Sequence, residues 1–202
     1  MLPIDINTVK GFLDMVEGDA LYQHALAAAQ LGPLLEVGSY CGKSTVYLGA
    51  ACKQCDALLY AVDHHRGSEE HQPGEEYHDA ELYDRRYEHF DSFPQFRHTL
   101  KRADLENTVV PIVASSILAA RHWNTPLAMV FIDGGHSMEA ALTDYRSWAG
   151  HVMRGGLLAI HDVFPDPADG GRPPHEIWLL AQASGLFKAL PLVKSLGVLV
   201  RI

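Results

Sequence analysis

The chain has no long apolar run: no stretch approaches the roughly 18 apolar residues that a membrane helix needs, so no membrane partner is expected. Its opening residues lack a basic start, a long apolar stretch and a small-residue cleavage site, so we expect no signal peptide and, by default, a cytoplasmic location. Cysteine is scarce. Cys41, Cys52 and Cys55 are too few for a disulfide framework. Cys52 and Cys55 form a C-x-x-C pair, but no second pair exists to complete a zinc site, and we read them as two thiols on a helix end. Positive charge is short as well: 16 Lys and Arg face 25 Asp and Glu, a formal net charge of -9. Binding to phosphate backbones depends on clustered Lys and Arg, so no nucleic-acid partner is expected.

What is present is the ordinary balance of a folded domain, with 48% hydrophobic and 20% charged residues over 202 positions. That length suits one core, and no linker or internal repeat divides it, so residues 1–202 are read as a single domain. Val9, Phe12, Leu13 and Val16 recur at helical spacing and predict a helix over residues 6–31, with a break near Gly18-Asp19. Short apolar runs then alternate with helical patterns. Strands are expected at 33–37, 58–62, 109–113, 127–132 and 157–160, and helices at 43–52, 93–103, 116–122, 138–152 and 176–184. A polar insertion with one helix near 78–89 separates the second strand from the helix at 93–103. Such alternation indicates an α/β fold, a mostly parallel sheet covered on both faces. Ligands bind beyond the carboxyl ends of such strands. The residues after each strand should therefore converge: Glu36 to Ser39, Asp63 to His65, Ala114 to Ser116, Asp133 to His136, and His161-Asp162.

The segment Glu36-Val37-Gly38-Ser39-Tyr40-Cys41-Gly42-Lys43-Ser44 joins the first strand to the next helix. Gly38 permits a tight turn and Gly42 a close backbone approach. Gly42-Lys43-Ser44 matches the end of a phosphate-binding loop, but the glycine required five residues earlier is Val37, which disfavours an ATPase. A dinucleotide-binding loop would carry glycine at residue 40, where this chain has Tyr40.

The pattern E-V-G-x-x-x-G-x-S resembles motif I of class I S-adenosylmethionine-dependent methyltransferases. Asp63, 25 positions after Gly38, is similar to the acid that family places on the ribose hydroxyls. The second half resembles the metal-dependent small-molecule O-methyltransferases of the catechol and macrolide-sugar type. The matching residues are Phe131-Ile132-Asp133-Gly134-Gly135-His136 and Ala159-Ile160-His161-Asp162. The resemblance implies a Rossmann-like, mostly parallel seven-stranded sheet with helices on both faces. It implies S-adenosylmethionine against Glu36, Gly38, Ser39, Tyr40, Gly42 and Ser44, its ribose on Asp63 beside His64, and contacts from Ser115 at the adenine edge and from Asp133. It also implies a divalent ion (Mg²⁺, Mn²⁺, Fe²⁺ or Zn²⁺) on Asp133, His161 and Asp162, with His136 as general base. The acceptor would be a small hydroxylated molecule, and a homodimer is common among relatives of this size.

The chemistry agrees with that set. An alcohol is a poor nucleophile until its proton is removed or its oxygen meets a cation, and imidazole accepts protons near neutral pH. The families carry an acid where this chain has His161, an exchange that favours ions softer than Mg²⁺ and equally permits a metal-free enzyme. Asp133 could instead cap the following helix, and Ser116 could do the same for its own. Residues 64–91, rich in His and acid, are read as a lid or a solvated excursion. Two other functions stay open: a nicotinamide-dependent oxidoreductase on a related fold, and a non-catalytic S-adenosylmethionine-binding protein.

Overall fold

The structure, a computed structural model, describes residues 2–68 and 79–202. A 3-10 turn at Ile6–Thr8, capped by Asp5, precedes helix α1 (Met15–Ala28), which begins where the Asp14 side chain accepts from the Val16 N–H. The helix expected over residues 6–31 is thus shorter, and it runs through Gly18-Asp19 without a break. Gly18 is there for packing. A Cβ at that position would fall on the Tyr47 ring of α2 (Lys43–Gln54), so its absence lets the two helices close.

The remaining elements follow in alternation. They are β1 (Leu34–Val37), β2 (Leu59–Val62), α3 (Phe93–Arg102), β5 (Val109–Ile112), α4 (Ser116–Ala120), β6 (Leu127–Ile132) and α5 (Met138–Trp148). Then come β7 (Val152–Ile160), α6 (Pro173–Ala183), β8 (Phe187–Ala189) and β9 (Gly197–Arg201). Within the polar insertion, β3 (Tyr83–Asp84) and β4 (His89–Phe90) form a small antiparallel hairpin. The helix expected near 78–89 is therefore absent over 79–89, and its first residue lies outside the described ones. Asp84 accepts from the Arg86 and Tyr87 N–H groups, a local turn that competes with helix.

Seven strands make one sheet in the order β5-β2-β1-β6-β7-β9-β8. All neighbours from β5 to β7 are parallel, and β9 runs antiparallel to both β7 and β8. The mostly parallel α/β architecture expected from the sequence is what forms. Every residue of β1 and of β6 is buried, which explains the unbroken apolar run of β6 and a β1 that is apolar except at Glu36. Successive β6 side chains enter opposite cores: Met129 and Phe131 pack with α1, α2 and α3, while Val130 and Ile132 pack with α5 and α6. Strand β7 begins at Val152 rather than after Gly155-Gly156; the glycines lie inside it, at an irregularity in its pairing with β6 where Gly155 has φ 78°. In α6, Ile177 is buried and Leu180 faces solvent.

Strand order reverses between β1 and β6, and the crevice of a doubly wound sheet opens beyond the carboxyl ends of the strands at such a point. No helix among the described residues is long and apolar enough to cross a membrane.

Candidate active site

A cavity of about 1190 Å³ occupies that crevice. Its wall is assembled from strand ends: Gly38, Ser39, Tyr40 and Ser44 after β1, Asp63 and His64 after β2, Ser115 after β5, Asp133 and His136 after β6, and His161 and Asp162 after β7. The predicted convergence is therefore real. Two residues of the predicted cofactor set, Glu36 and Gly42, lie off the wall.

The loop after β1 turns in a way that only glycine tolerates at one position. Gly38 has φ 87°, and a Cβ there would collide with the Asp133 carbonyl. That contact locks the β1 loop to the end of β6. Gly42, with φ 93°, is the N-cap of α2. Its role is to start that helix, not to face the cavity. Glu36 is fully buried beneath the loop, where Oε2 accepts from the Thr45 hydroxyl. Burial pushes its carboxyl up to about 7, against the pull of the Ser44 and Thr45 hydroxyls. Its Oε1 and the Ser39 hydroxyl are shielded from solvent and meet no partner at hydrogen-bond geometry among the described residues.

Asp63 accepts from the Tyr40 N–H (2.8 Å) and the His65 N–H (2.7 Å), so it ties the β1 loop to the β2 loop while presenting its carboxylate to the cavity. His64 shares that wall, whereas His65 turns inward, 2% exposed, with Nδ1 2.8 Å from the Ser92 hydroxyl and its ring near Phe93 and Phe96. The cavity's far side is closed by Lys10, Gly11 and Phe12 from the N-terminal segment. Lys10 pairs with Asp79 and Glu81, fastening that segment to the insertion.

At the carboxyl ends of β6 and β7, Asp133, His136 and Asp162 each offer a ligand atom, and these atoms lie within 4.8 Å of one another. His136 Nε2 is 3.1 Å from Asp162 Oδ2. Although burial opposes it, the His136 and His161 rings hold the Asp162 carboxyl well below the usual carboxylate range. Asp133 is not the cap of α5; the Ser137 side chain accepts from the Ala140 N–H and does that work. Nor does Ser116 cap α4, because its hydroxyl accepts from Trp148 Nε1. Ser115 stands at the N-cap position without a side-chain cap bond and lines the cavity.

His161, the third ligand that the resemblance implies, meets a carboxylate at each ring nitrogen. It is 6% exposed, with Nδ1 3.0 Å from Asp133 Oδ1 and Nε2 3.1 Å from Glu17 Oε2. Burial disfavours a charged ring, but the Asp133, Asp162 and Glu17 carboxylates outweigh it and raise its pKa far above the ordinary histidine value. Both imidazoles lie near the two aspartates: His161 Nδ1 is also 3.4 Å from Asp162 Oδ2, but both of its ring nitrogens already meet carboxylates, whereas His136 faces the cavity.

Two buried acids near the site lie outside the residues expected from the sequence. Asp144 lies on the cavity wall with its carboxylate against Gly134, where any Cβ would collide with it, and burial raises its carboxyl to about 6. Its spacing from Ala141 and Trp148, three and four residues, puts it on the inner face of α5 and is a signal that could have revealed it. Glu17 is 3% exposed and reaches His161 across 144 residues of sequence, for which no local signal exists.

A doubly wound sheet with a glycine turn, an acid after the second strand and an Asp/His/Asp cluster at one edge defines a Rossmann-like methyltransferase fold. Known proteins agree. Residues 35–163 match a family described as methyltransferase domain, and the chain belongs to that family. Solved structures share the fold. The O-methyltransferase NovP is 16% identical with a TM-score of 0.69, over 93% of this chain and 80% of that one. An O-methyltransferase from Bacillus cereus, solved with S-adenosylhomocysteine, is 15% identical with a TM-score of 0.65, over 96% and 85%. TomG, an O-methyltransferase from Streptomyces achromogenes involved in tomaymycin synthesis and solved with S-adenosylmethionine, is 14% identical with a TM-score of 0.63, over 94% and 81%.

Proposed function

We propose that this chain transfers a methyl group from S-adenosylmethionine to a hydroxyl oxygen of a small molecule, with a divalent ion on Asp133 and Asp162 and with His136 as the base. The observation that carries this reading is the gathering of Asp133, His136 and Asp162 within 4.8 Å on the wall of the cavity that Gly38 and Asp63 also line. The residues fit both groups. The Asp63 carboxylate on the cavity wall suits a ligand that carries hydroxyls, and the space of about 1190 Å³ accommodates a nucleoside, an amino-acid tail and an acceptor. Two carboxylates are hard oxygen donors that suit Mg²⁺ or Mn²⁺, and His136, kept off the ion, is left to accept a proton.

Asp63 accepts from the ribose hydroxyls with the lone pairs left by Tyr40 and His65. Gly38, Ser39, Tyr40 and Ser44 hold the amino-acid end, Ser115 and His64 border the nucleoside, and Glu36 supports this loop from beneath. When bound, the divalent ion lowers the pKa of the acceptor's hydroxyl and fixes its oxygen. Asp162 orients the His136 ring through their 3.1 Å contact. His136 then takes up the proton that the hydroxyl loses as its oxygen accepts the methyl group. The family match favours this reading over a nicotinamide-dependent oxidoreductase.

The test uses methyl-labelled S-adenosylmethionine and a panel of catechols, phenols and sugar alcohols with Mn²⁺ or Mg²⁺. Label should pass to at least one acceptor. The His136→Ala variant should lose about a hundredfold or more of that rate while its cofactor affinity stays within about twofold. Label that never leaves the cofactor, despite tight binding, would instead favour the non-catalytic binding protein.

A further inference from the structure

Burying a carboxylate costs free energy unless it is paired and hydrogen-bonded, and α1 buries one at Glu17. All of its partners lie on other elements. Oε1 accepts from the Ser195 N–H (2.8 Å) and hydroxyl (2.7 Å) in the turn before β9, and Oε2 accepts from His161 Nε2 (3.1 Å). The other ring nitrogen of His161 donates to Asp133 Oδ1 (3.0 Å). The line Ser195–Glu17–His161–Asp133 therefore ends on a carboxylate of the Asp133/His136/Asp162 cluster, and it engages only one of that carboxylate's two oxygens. Packing does not require an acid at this point, since a neutral side chain of similar size fills the same volume.

We propose that Glu17 is a positioning residue for the divalent-ion site: acting through His161, it fixes the Asp133 carboxylate in the orientation that binds the ion. This rests on the reading of Asp133 and Asp162 as ion ligands. Ligand-supporting hydrogen bonds of this kind commonly set metal affinity by roughly ten- to a hundredfold.

The experiment measures Mn²⁺ affinity by electron paramagnetic resonance on the metal-stripped full chain, with S-adenosylmethionine affinity measured by calorimetry in parallel. Three proteins are compared: the wild type, Glu17→Gln, and Leu21→Val, which loosens the buried face of the same helix without touching the polar line. We expect Glu17→Gln to bind Mn²⁺ about tenfold more weakly, with cofactor affinity within about twofold, and Leu21→Val to bind Mn²⁺ as the wild type does. Wild-type Mn²⁺ binding that Glu17→Gln leaves unchanged overturns the positioning role alone and leaves the ion site standing. Equal weakening in Leu21→Val, or parallel loss of cofactor affinity in Glu17→Gln, makes the role structural and also overturns it. A wild type without Mn²⁺ binding overturns the ion site and this proposal together. If Glu17→Gln does not fold, Glu17→Asp keeps the charge, shortens the reach by one carbon, and is judged by the same outcomes.

Discussion

At the scale of single residues, the carboxyls near the cavity divide by what surrounds them. Glu36 has hydroxyls around it and the Asp133 charge nearby, and burial, helped by that charge, carries its carboxyl from 4.5 up to about 7. Asp162 is also shielded but faces two imidazoles, which pull it down. The first case gives a pH effect of definite sign. A carboxyl whose folded pKa is raised binds more protons in the native state than in the unfolded chain. Its stabilising contribution is complete below 4.5 and is lost as pH rises through about 7, on the order of 3 kcal/mol in all. Thermal unfolding of the ligand-free protein should therefore show a fall in midpoint across that window that is shallower in Glu36→Gln; identical slopes would mean that Glu36 is not held protonated. His136 gives a second expectation. As a base it should be dispensable for the ion, so His136→Ala should keep Mn²⁺ affinity within about threefold while losing transfer. Loss of Mn²⁺ binding in that variant would make His136 a ligand instead.

The strand-end residues are legible in the sequence because a buried parallel strand leaves a continuous apolar signature, and the position after it is fixed by topology. Asp63, Asp133, His136 and Asp162 all obey that rule. His161 stands at the expected strand end, but its partner is not foreseeable: Glu17 stands within the helical segment expected over 6–31, beside the break expected at Gly18-Asp19, and nothing there marks it as buried. Charge pairing across 144 residues leaves no periodic trace.

At the scale of elements, the departures have local causes. Gly18 reads as a helix break because glycine weakens helices, yet tertiary contact with Tyr47 gives it a use inside α1. Gly18→Ala should thus destabilise by about 1–3 kcal/mol despite alanine's better helix propensity, through overpacking on the Tyr47 ring. Denaturant unfolding checks this, and a stabilised variant would refute the packing explanation. Gly155-Gly156 likewise reads as a turn before the strand, but the pair sits within β7 at its irregular pairing with β6. The short β8 and the β3–β4 hairpin leave no signature because two or three residues are too few for a period to show. Gly38 is the element-joining position that matters most to the site. Replacing it by alanine would force a Cβ against the Asp133 carbonyl, so Gly38→Ala should lose cofactor binding even where it folds. Unchanged affinity in that variant would show that the β1 loop has room to shift.

At the scale of the whole molecule, strand order decides where chemistry can occur. The reversal between β1 and β6 opens one crevice, and five strand ends deliver polar side chains to it from residues as distant as Ser39 and Asp162. Lys10, Gly11 and Phe12 of the N-terminal segment also line that crevice, and Lys10 ties the segment to Asp79 and Glu81. The fold is the most legible feature of the sequence, since it rests on many weak patterns that agree. The wall formed by Lys10, Gly11 and Phe12 is the least legible, because it depends on how a non-repeating segment drapes over the sheet. The most direct test of the account is calorimetric titration of S-adenosylmethionine into the metal-stripped protein and into Asp63→Ala. The expected result is micromolar binding by the wild type and at least about tenfold weaker binding by the variant, since a charge-assisted pair of hydrogen bonds is lost. No binding by the wild type, with or without Mn²⁺, would contradict the assignment of the cavity to this cofactor and the function built on it.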